Sequence, residues 1–193
     1  NTYLILQDNQ DICPDVAPLT YDVAGMVMTQ EGQALPSVEV AIHNDNPEFP
    51  RYAFTSSTGV YSYKDVVANE NYTITARSNE DPMGGISTLD LVFIQKHLLG
   101  LKPLGSAFEI IAADVNNSGS ISASDLLDLR KLILGVNESL PNNDSWRFVD
   151  GDEAFDNPNN PFPFDEVKEI NPLRFHSLHN NFTAIKIGDV NNS

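Results

Sequence analysis

The sequence predicts an α+β chain: an antiparallel β-sandwich in the first half, a pair of loop–helix units after it, and an irregular C-terminal tail. Three observations predict it. Short apolar/polar alternations separated by turn residues run from 21 to 78. Residues 114–125 space oxygen-bearing side chains at regular intervals and lead straight into a helical pattern. Residues 85–100 repeat residues 120–135, each position shifted by 35 (120 minus 85). The corresponding segments are 1–20, 21–78, 79–136 and 137–193.

Segment 1–20 opens with Thr2-Tyr3-Leu4-Ile5-Leu6, a compact run of β-forming residues, and continues through a polar stretch containing prolines to Thr20. An exposed strand of this kind invites pairing at a sheet edge. Two destinations stand open: the chain's own sandwich, or a neighbouring subunit. The second would give head-to-tail filaments, because contacts that do not close on themselves run on.

Strands are expected at 23–29, 37–43, 51–55, 59–66 and 70–77, where residues such as Gly59-Val-Tyr-Ser-Tyr-Lys-Asp-Val66 alternate. Glu31-Gly32, Asn44-Asp45-Asn46-Pro47 and Ser57-Thr58-Gly59 supply the turns between them. Short strands at this spacing make a small sandwich. The order Gly-x-Val, Gly-x-x-Leu-Pro-x-Val-x-Val, Thr-x-x-x-Gly-x-Tyr and Tyr-Thr-Ile-Thr-Ala resembles the carboxypeptidase regulatory-like (prealbumin-like) domain, which implies an extracellular stalk or spacer.

The most specific segment is Asp114-Val-Asn-Asn-Ser-Gly-Ser-Ile-Ser-Ala-Ser-Asp125. A hard cation such as Ca2+ takes six to eight oxygens at about 2.3–2.6 Å. Asp114, Asn116 and Ser118 stand at loop positions 1, 3 and 5. Gly119 holds position 6, where the chain must turn sharply. Ser120 offers its carbonyl at position 7, Ser122 lies at 9 and Asp125 closes the loop at 12. An ordinary Asn/Ser/Gly turn does not require an acid at both ends, glycine at the sixth place and an apolar residue, Ile121, at the eighth. Leu126 to Gly135 then continue as a helix.

The repeat carries identical pairs at Ile86/Ile121, Ser87/Ser122, Asp90/Asp125, Leu91/Leu126, Lys96/Lys131, Leu99/Leu134 and Gly100/Gly135. One supersecondary unit used twice is the usual meaning of such a repeat. The unit is half an ion loop plus one amphipathic helix, and 85–135 resembles a type I dockerin, the duplicated calcium loop–helix module that docks onto cohesin domains in bacterial extracellular assemblies. The resemblance implies Ca2+ as cofactor, a cohesin-type partner, and partner choice read at loop positions 10 and 11. Those are Thr88-Leu89 in the first unit and Ala123-Ser124 in the second, so the halves are not equivalent there. Leu91, Ile94, Leu98, Leu126, Leu129 and Ile133 are the expected shared core of the two helices.

The first unit lacks the opening half of its loop. Counting back from Asp90 places Asn79, Asp81 and Met83 at positions 1, 3 and 5, and Met83 carries no oxygen. Yet Asp189-Val-Asn-Asn-Ser193 repeats 114–118 letter for letter. One reading is a split site, with Asp189, Asn191 and Ser193 returning to Ser87 and Asp90. The alternatives are completion of a site in the next copy, a local loop through Asn79 and Asp81, or no second ion.

Within 137–193, Trp146-Arg147-Phe148-Val149 and 182–187 read as two short strands that bracket a long loop and bring the chain end back. The closing Lys-Ile-Gly-Asp-Val-Asn is similar to C-terminal parts of large secreted surface proteins of the Bacteroidetes type.

Composition agrees. A net charge of −16 and a pI of about 4.3 repel nucleic acid and anionic membranes. Hydrophobic content of 41% is ordinary for a globular chain. No apolar run is long enough to span a bilayer. Cys13 is the single cysteine, so neither an intrachain disulfide nor a cysteine metal cluster is expected. His176 and His179 lack a third ligand nearby, and Asp150, Asp152 and Glu153 read as solvated acids rather than a catalytic pair. The sequence therefore points to a non-enzymatic, calcium-stabilised module at a bacterial cell surface or outside the cell. The expected role is a subunit of a fibre, filament or adhesin binding copies of itself or other surface proteins. The alternative is a module docking a secreted protein onto a cohesin-type partner.

Overall fold

The computed structural model describes residues 17–193; the strand expected at Thr2–Leu6 lies outside the described residues. The chain is α+β, with two four-stranded sheets and three helices among the described residues. Strands β1 (Thr20–Thr29), β2 (Glu39–His43), β3 (Arg51–Phe54), β4 (Val60–Val67) and β5 (Tyr72–Arg77) fall where the alternation places them. Helices α1 (Thr88–Leu98), α2 (Ala107–Ala113) and α3 (Ala123–Ile133) follow, and β6 (Trp146–Asp150), β7 (Val167–Ile170) and β8 (Phe182–Lys186) close the chain.

One sheet has the order β4-β1-β8-β6 and the other β3-β2-β5-β7. Three of these strands come from 137–193, which the sequence alone reads as largely irregular. β6 and β8 are the two expected there. β7 is four residues long with two charges, too short to show a period, and it pairs antiparallel with β5 from Tyr72↔Ile170 to Thr75↔Val167. The sandwich built from 21–78 is thus completed by the tail.

β6 and β8 are the shared wall of the molecule. Successive side chains of a strand point to opposite faces. Phe148, Phe182 and Ala184 enter the sandwich core with Val23, Val27, Tyr61 and Ile74. Val149 and Ile185 enter a second core with Ile94, Ile111, Leu129 and Leu132 from the helices. Strands buried on both faces read as continuous apolar runs, which is why Phe182-Thr-Ala-Ile-Lys-Ile187 carries so few polar residues. β8 lies parallel to β1 over Val27↔Phe182 to Thr29↔Ala184 and antiparallel to β6.

The expected helical core holds at Ile94 and Leu129, both fully buried, with Leu91, Leu126 and Ile133 packed partly buried against it. Leu98 is a correction: it is 38% exposed and lies outside the helical core, while Leu132 of α3, not among the expected core residues, is buried. α2 had no sequence signal because Ala-Phe-Glu-Ile-Ile-Ala-Ala is apolar nearly all round.

Candidate metal centres

Loop 114–125 folds around its two carboxylates. Asp114 and Asp125 are fully buried. Asp114 Oδ1 accepts the Ser118 amide at 2.9 Å and its Oδ2 the Gly119 amide at 2.9 Å. Asp125 Oδ1 accepts the Asn116 amide at 3.1 Å. Its Oδ2 accepts the Ser122 amide at 2.8 Å and hydroxyl at 3.0 Å, which also caps α3. The Ser118 hydroxyl donates to the Ser120 carbonyl at 3.0 Å.

The chain end builds a second loop of the same design from two distant pieces. Asp189 Oδ1 accepts the Ser193 amide at 3.3 Å, as Asp114 accepts Ser118. The Ser193 hydroxyl donates to the Gly85 carbonyl at 3.0 Å, as Ser118 does to Ser120. Asp90 Oδ2 takes the Ser87 amide at 2.8 Å and hydroxyl at 2.9 Å, the α1 equivalent of the Ser122–Asp125 cap. Asp90 Oδ1 receives the Val190 amide at 3.0 Å across the two pieces. Asn117 and Asn192 share the left-handed conformation, at φ 57° and 53°. The join is close at Gly85, where an added Cβ would stand 2.3 Å from Asp189 Oδ2. The structure therefore brings 189–193 against Gly85 and Asp90 within one chain. Asn79 is committed elsewhere, since its Oδ1 accepts the Ser145 amide at 2.9 Å and hydroxyl at 2.8 Å.

Both loops fit a hard cation. Among the described residues, Asp90, Asp114, Asp125 and Asp189 are buried, and none forms an ion pair with lysine, arginine or histidine. Buried carboxylates without a counter-charge are costly. Burial pushes the Asp189 carboxyl above the usual range, and the nearby Asp90 adds to the rise against its amide hydrogen bonds. The side-chain oxygens of Asn116 and Asn191, at position 3 of each loop, are the two buried polar side-chain atoms without a hydrogen-bond partner among the described residues. A metal ion in each loop would give each amide oxygen its missing partner. Each loop has two acids, with amide, hydroxyl and carbonyl oxygens for the rest, and among the described residues no cluster of three or more Asp, Glu, His or Cys is placed to hold a metal. Neutral oxygens beside a few carboxylates suit Ca2+ rather than the nitrogen and sulfur preference of zinc.

Residues 79–144 match the family model of the dockerin type I domain. Dockerin domains are non-catalytic modules that bind calcium and cohesins, and occur in secreted or cell-surface proteins. The match leaves out 189–193, the segment that meets the first dockerin unit in space. No curated protein matches the chain. Among solved structures, a DUF3823 family protein from Parabacteroides merdae is similar at 25% identity and TM-score 0.27, over 34% of this chain and 35% of that one. The pilus adhesin (RrgA) from Streptococcus pneumoniae is similar at 16% identity and TM-score 0.27, over 31% of this chain and 7% of that one. The chain thus spans a minor part of either.

Thr88, Leu89, Ala123 and Ser124 are all exposed at the helix starts. Sequence reading missed a more regular feature on the same units. Val92 and Leu127 are 40% and 52% exposed, Leu99 and Leu134 63% and 70%, and Leu101 and Val136 73% and 68%. Each pair is related by the repeat, so inequivalence at positions 10 and 11 coexists with equivalent apolar positions along the helices.

Asp150, Asp152 and His176 are held in structural contacts. Asp150 and Asp152 both bind Lys168, at 2.6 and 2.5 Å. His176 Nδ1 accepts the Asp22 amide at 3.0 Å. Among the described residues no helix is long and apolar enough to cross a membrane.

Proposed function

We propose that this chain is a non-enzymatic, extracellular docking module whose two halves are each assembled by a calcium ion. One ion takes oxygens from Asp114, Asn116, Ser118, Ser120, Ser122 and Asp125. The other takes them from Asp189, Asn191 and Ser193 of the tail with Ser87 and Asp90. The unpartnered buried oxygens of Asn116 and Asn191 support both assignments. Calcium binds the closed loops and not the open chain, so it stabilises the fold by about 2.7 kcal/mol per site at 100-fold excess over Kd.

The observation that carries docking is the repeat-related set of exposed leucines and valines. Exposed apolar side chains gathered on one surface mark interaction sites, and because dockerin domains bind cohesins a cohesin-type domain fits as the partner class. Thr88, Leu89, Ala123 and Ser124 at the helix starts would flank that surface and tune partner choice. The sandwich, with its prealbumin-like motif order, would serve as the spacer that presents it.

A second reading, assembly into a surface fibre or adhesin, is favoured by β3. It is an edge strand whose Tyr52 and Phe54 are 59% and 64% exposed, a place where a strand from another copy could add. Residues Thr2–Leu6 are the strand the sequence offers for that role.

Surface plasmon resonance against immobilised type I cohesins, with calcium and with chelator, tests the docking reading. Calcium-dependent binding that survives Leu99→Asp or Leu134→Asp alone but not both together is expected. Absence of binding, with filaments in negative-stain images, would select the second reading.

A further inference from the structure

The two loops share the opening aspartate that accepts a serine amide, the serine hydroxyl on a carbonyl and the Ser–Asp helix cap, but the core position just ahead of each differs. Three residues before the opening aspartate stands Ile111 in one case and Lys186 in the other. Ile111 is fully buried in the helical core; Lys186, at the end of β8, is 8% exposed. The Lys186 ammonium donates to the Asp81 carbonyl and lies 5.1 Å from the centroid of the Trp146 ring. With Asp81, Gly85, Asp189 and Ser193 it lines a cavity of about 370 Å³. It is in no ion pair among the described residues, so its charge stands near Asp189 without touching it. Burial lowers its pKa to about 8, while Asp81 and Asp189 pull it back up. A lysine in this position has no counterpart at loop 114–125.

We propose that Lys186 is the affinity-setting residue of the tail cation site: its ammonium opposes the incoming divalent ion and makes this site the weaker of the two. The inference rests on the reading that both loops hold calcium. A fixed unit charge repels a divalent ion twice as strongly as a monovalent one, and inside a partly buried site that repulsion is little screened. The same charge partly offsets the Asp189 carboxylate when no ion is bound. The tail half-loop is therefore less dependent on calcium for staying in place than loop 114–125 is. The module would respond in two stages: 114–125 fills first, and the tail site reports calcium at higher concentration.

Isothermal titration of the calcium-free chain tests this. The full chain should take up two ions in two steps, and Asp189→Asn should abolish the weaker one. Lys186→Gln keeps a donor for the Asp81 carbonyl but removes the charge. It should tighten the weaker step about tenfold or more and leave the tighter step unchanged. Lys186→Arg, which keeps the charge, should leave both steps in place; the far-ultraviolet circular dichroism of each variant confirms that it folds. A weaker step that is unmoved or further weakened in Lys186→Gln overturns the role of Lys186. A single ion taken up by the unsubstituted chain overturns instead the two-site reading beneath it.

Discussion

Replacing Gly85 with alanine should disable the tail site and leave loop 114–125 intact. Gly85 has φ 71°, and a methyl group there would lie 2.3 Å from Asp189 Oδ2 and 3.0 Å from the Ser193 carbonyl oxygen. Two effects add. The left-handed conformation costs an L-residue about 1–2 kcal/mol. Displacing Asp189 removes the calcium linkage at that site, about 2.7 kcal/mol at 100-fold excess over Kd. The expected loss is therefore about 4 kcal/mol in calcium and about 1–2 kcal/mol in chelator. Gly119→Ala is the comparison: φ is 75°, but nothing lies within 4 Å of the added carbon, so only the backbone strain applies at the clash-free site. Urea unfolding of both variants, with and without calcium, combined with counting bound ions by mass spectrometry under native conditions, measures each part. Two ions on Gly85→Ala with the same stability increment from calcium as the unsubstituted chain would refute the reasoning.

Three further outcomes follow from the same geometry. Deleting 189–193 should reduce the bound ions from two to one; two ions on the shortened chain would remove the tail from the site. Leu129→Ala should destabilise the fold by about 2–5 kcal/mol in chemical denaturation, because the side chain is fully buried and closes on Gly188 of the tail. In calcium-free protein, the stability gap between Lys186→Met and the unsubstituted chain should change with pH. The folded pKa of Lys186, about 8, lies below its unfolded value of 10.5. Between those values the unfolded chain holds the proton and the folded one does not, so the unsubstituted chain gains stability as pH rises through that window, by up to about 3 kcal/mol. Below pH 8 the gap should stay flat.

The sandwich strands β1, β4 and β5 were legible because they bury mainly one face, and burial of one face writes a period of two into the sequence. Loop 114–125 was legible because oxygen ligands must fall at fixed positions. The return of 189–193 to the first unit was suggested only by the letter-for-letter repeat of 114–118; nothing local to Asp189 shows where it goes. What stayed hidden was hidden for physical reasons. β7 and α2 are too short for a period to show. β6 and β8 divide their two faces between two cores, so the tail's role in completing the sandwich has no amphipathic signature. Leu98 carries the helical spacing of a core residue, yet α1 is packed on one side only and leaves it outside. Lys186 sits within the apolar run 182–187, where sequence offers no means to tell a snorkelling lysine from a buried one. The repeat aligns it with Ile111, but only the fold shows that it is buried beside the tail loop.

The most direct test is the number of calcium ions on the chain and what their removal does. Chelator dialysis followed by thermal unfolding should show two ions leaving and a stability loss of at least about 5 kcal/mol from calcium 100-fold above the weaker site's Kd, where each site contributes about 2.7 kcal/mol or more. An unfolding midpoint that is the same with and without chelator, on a chain that never carried metal, would contradict the proposal that cation-filled loops hold the two helices and the tail together.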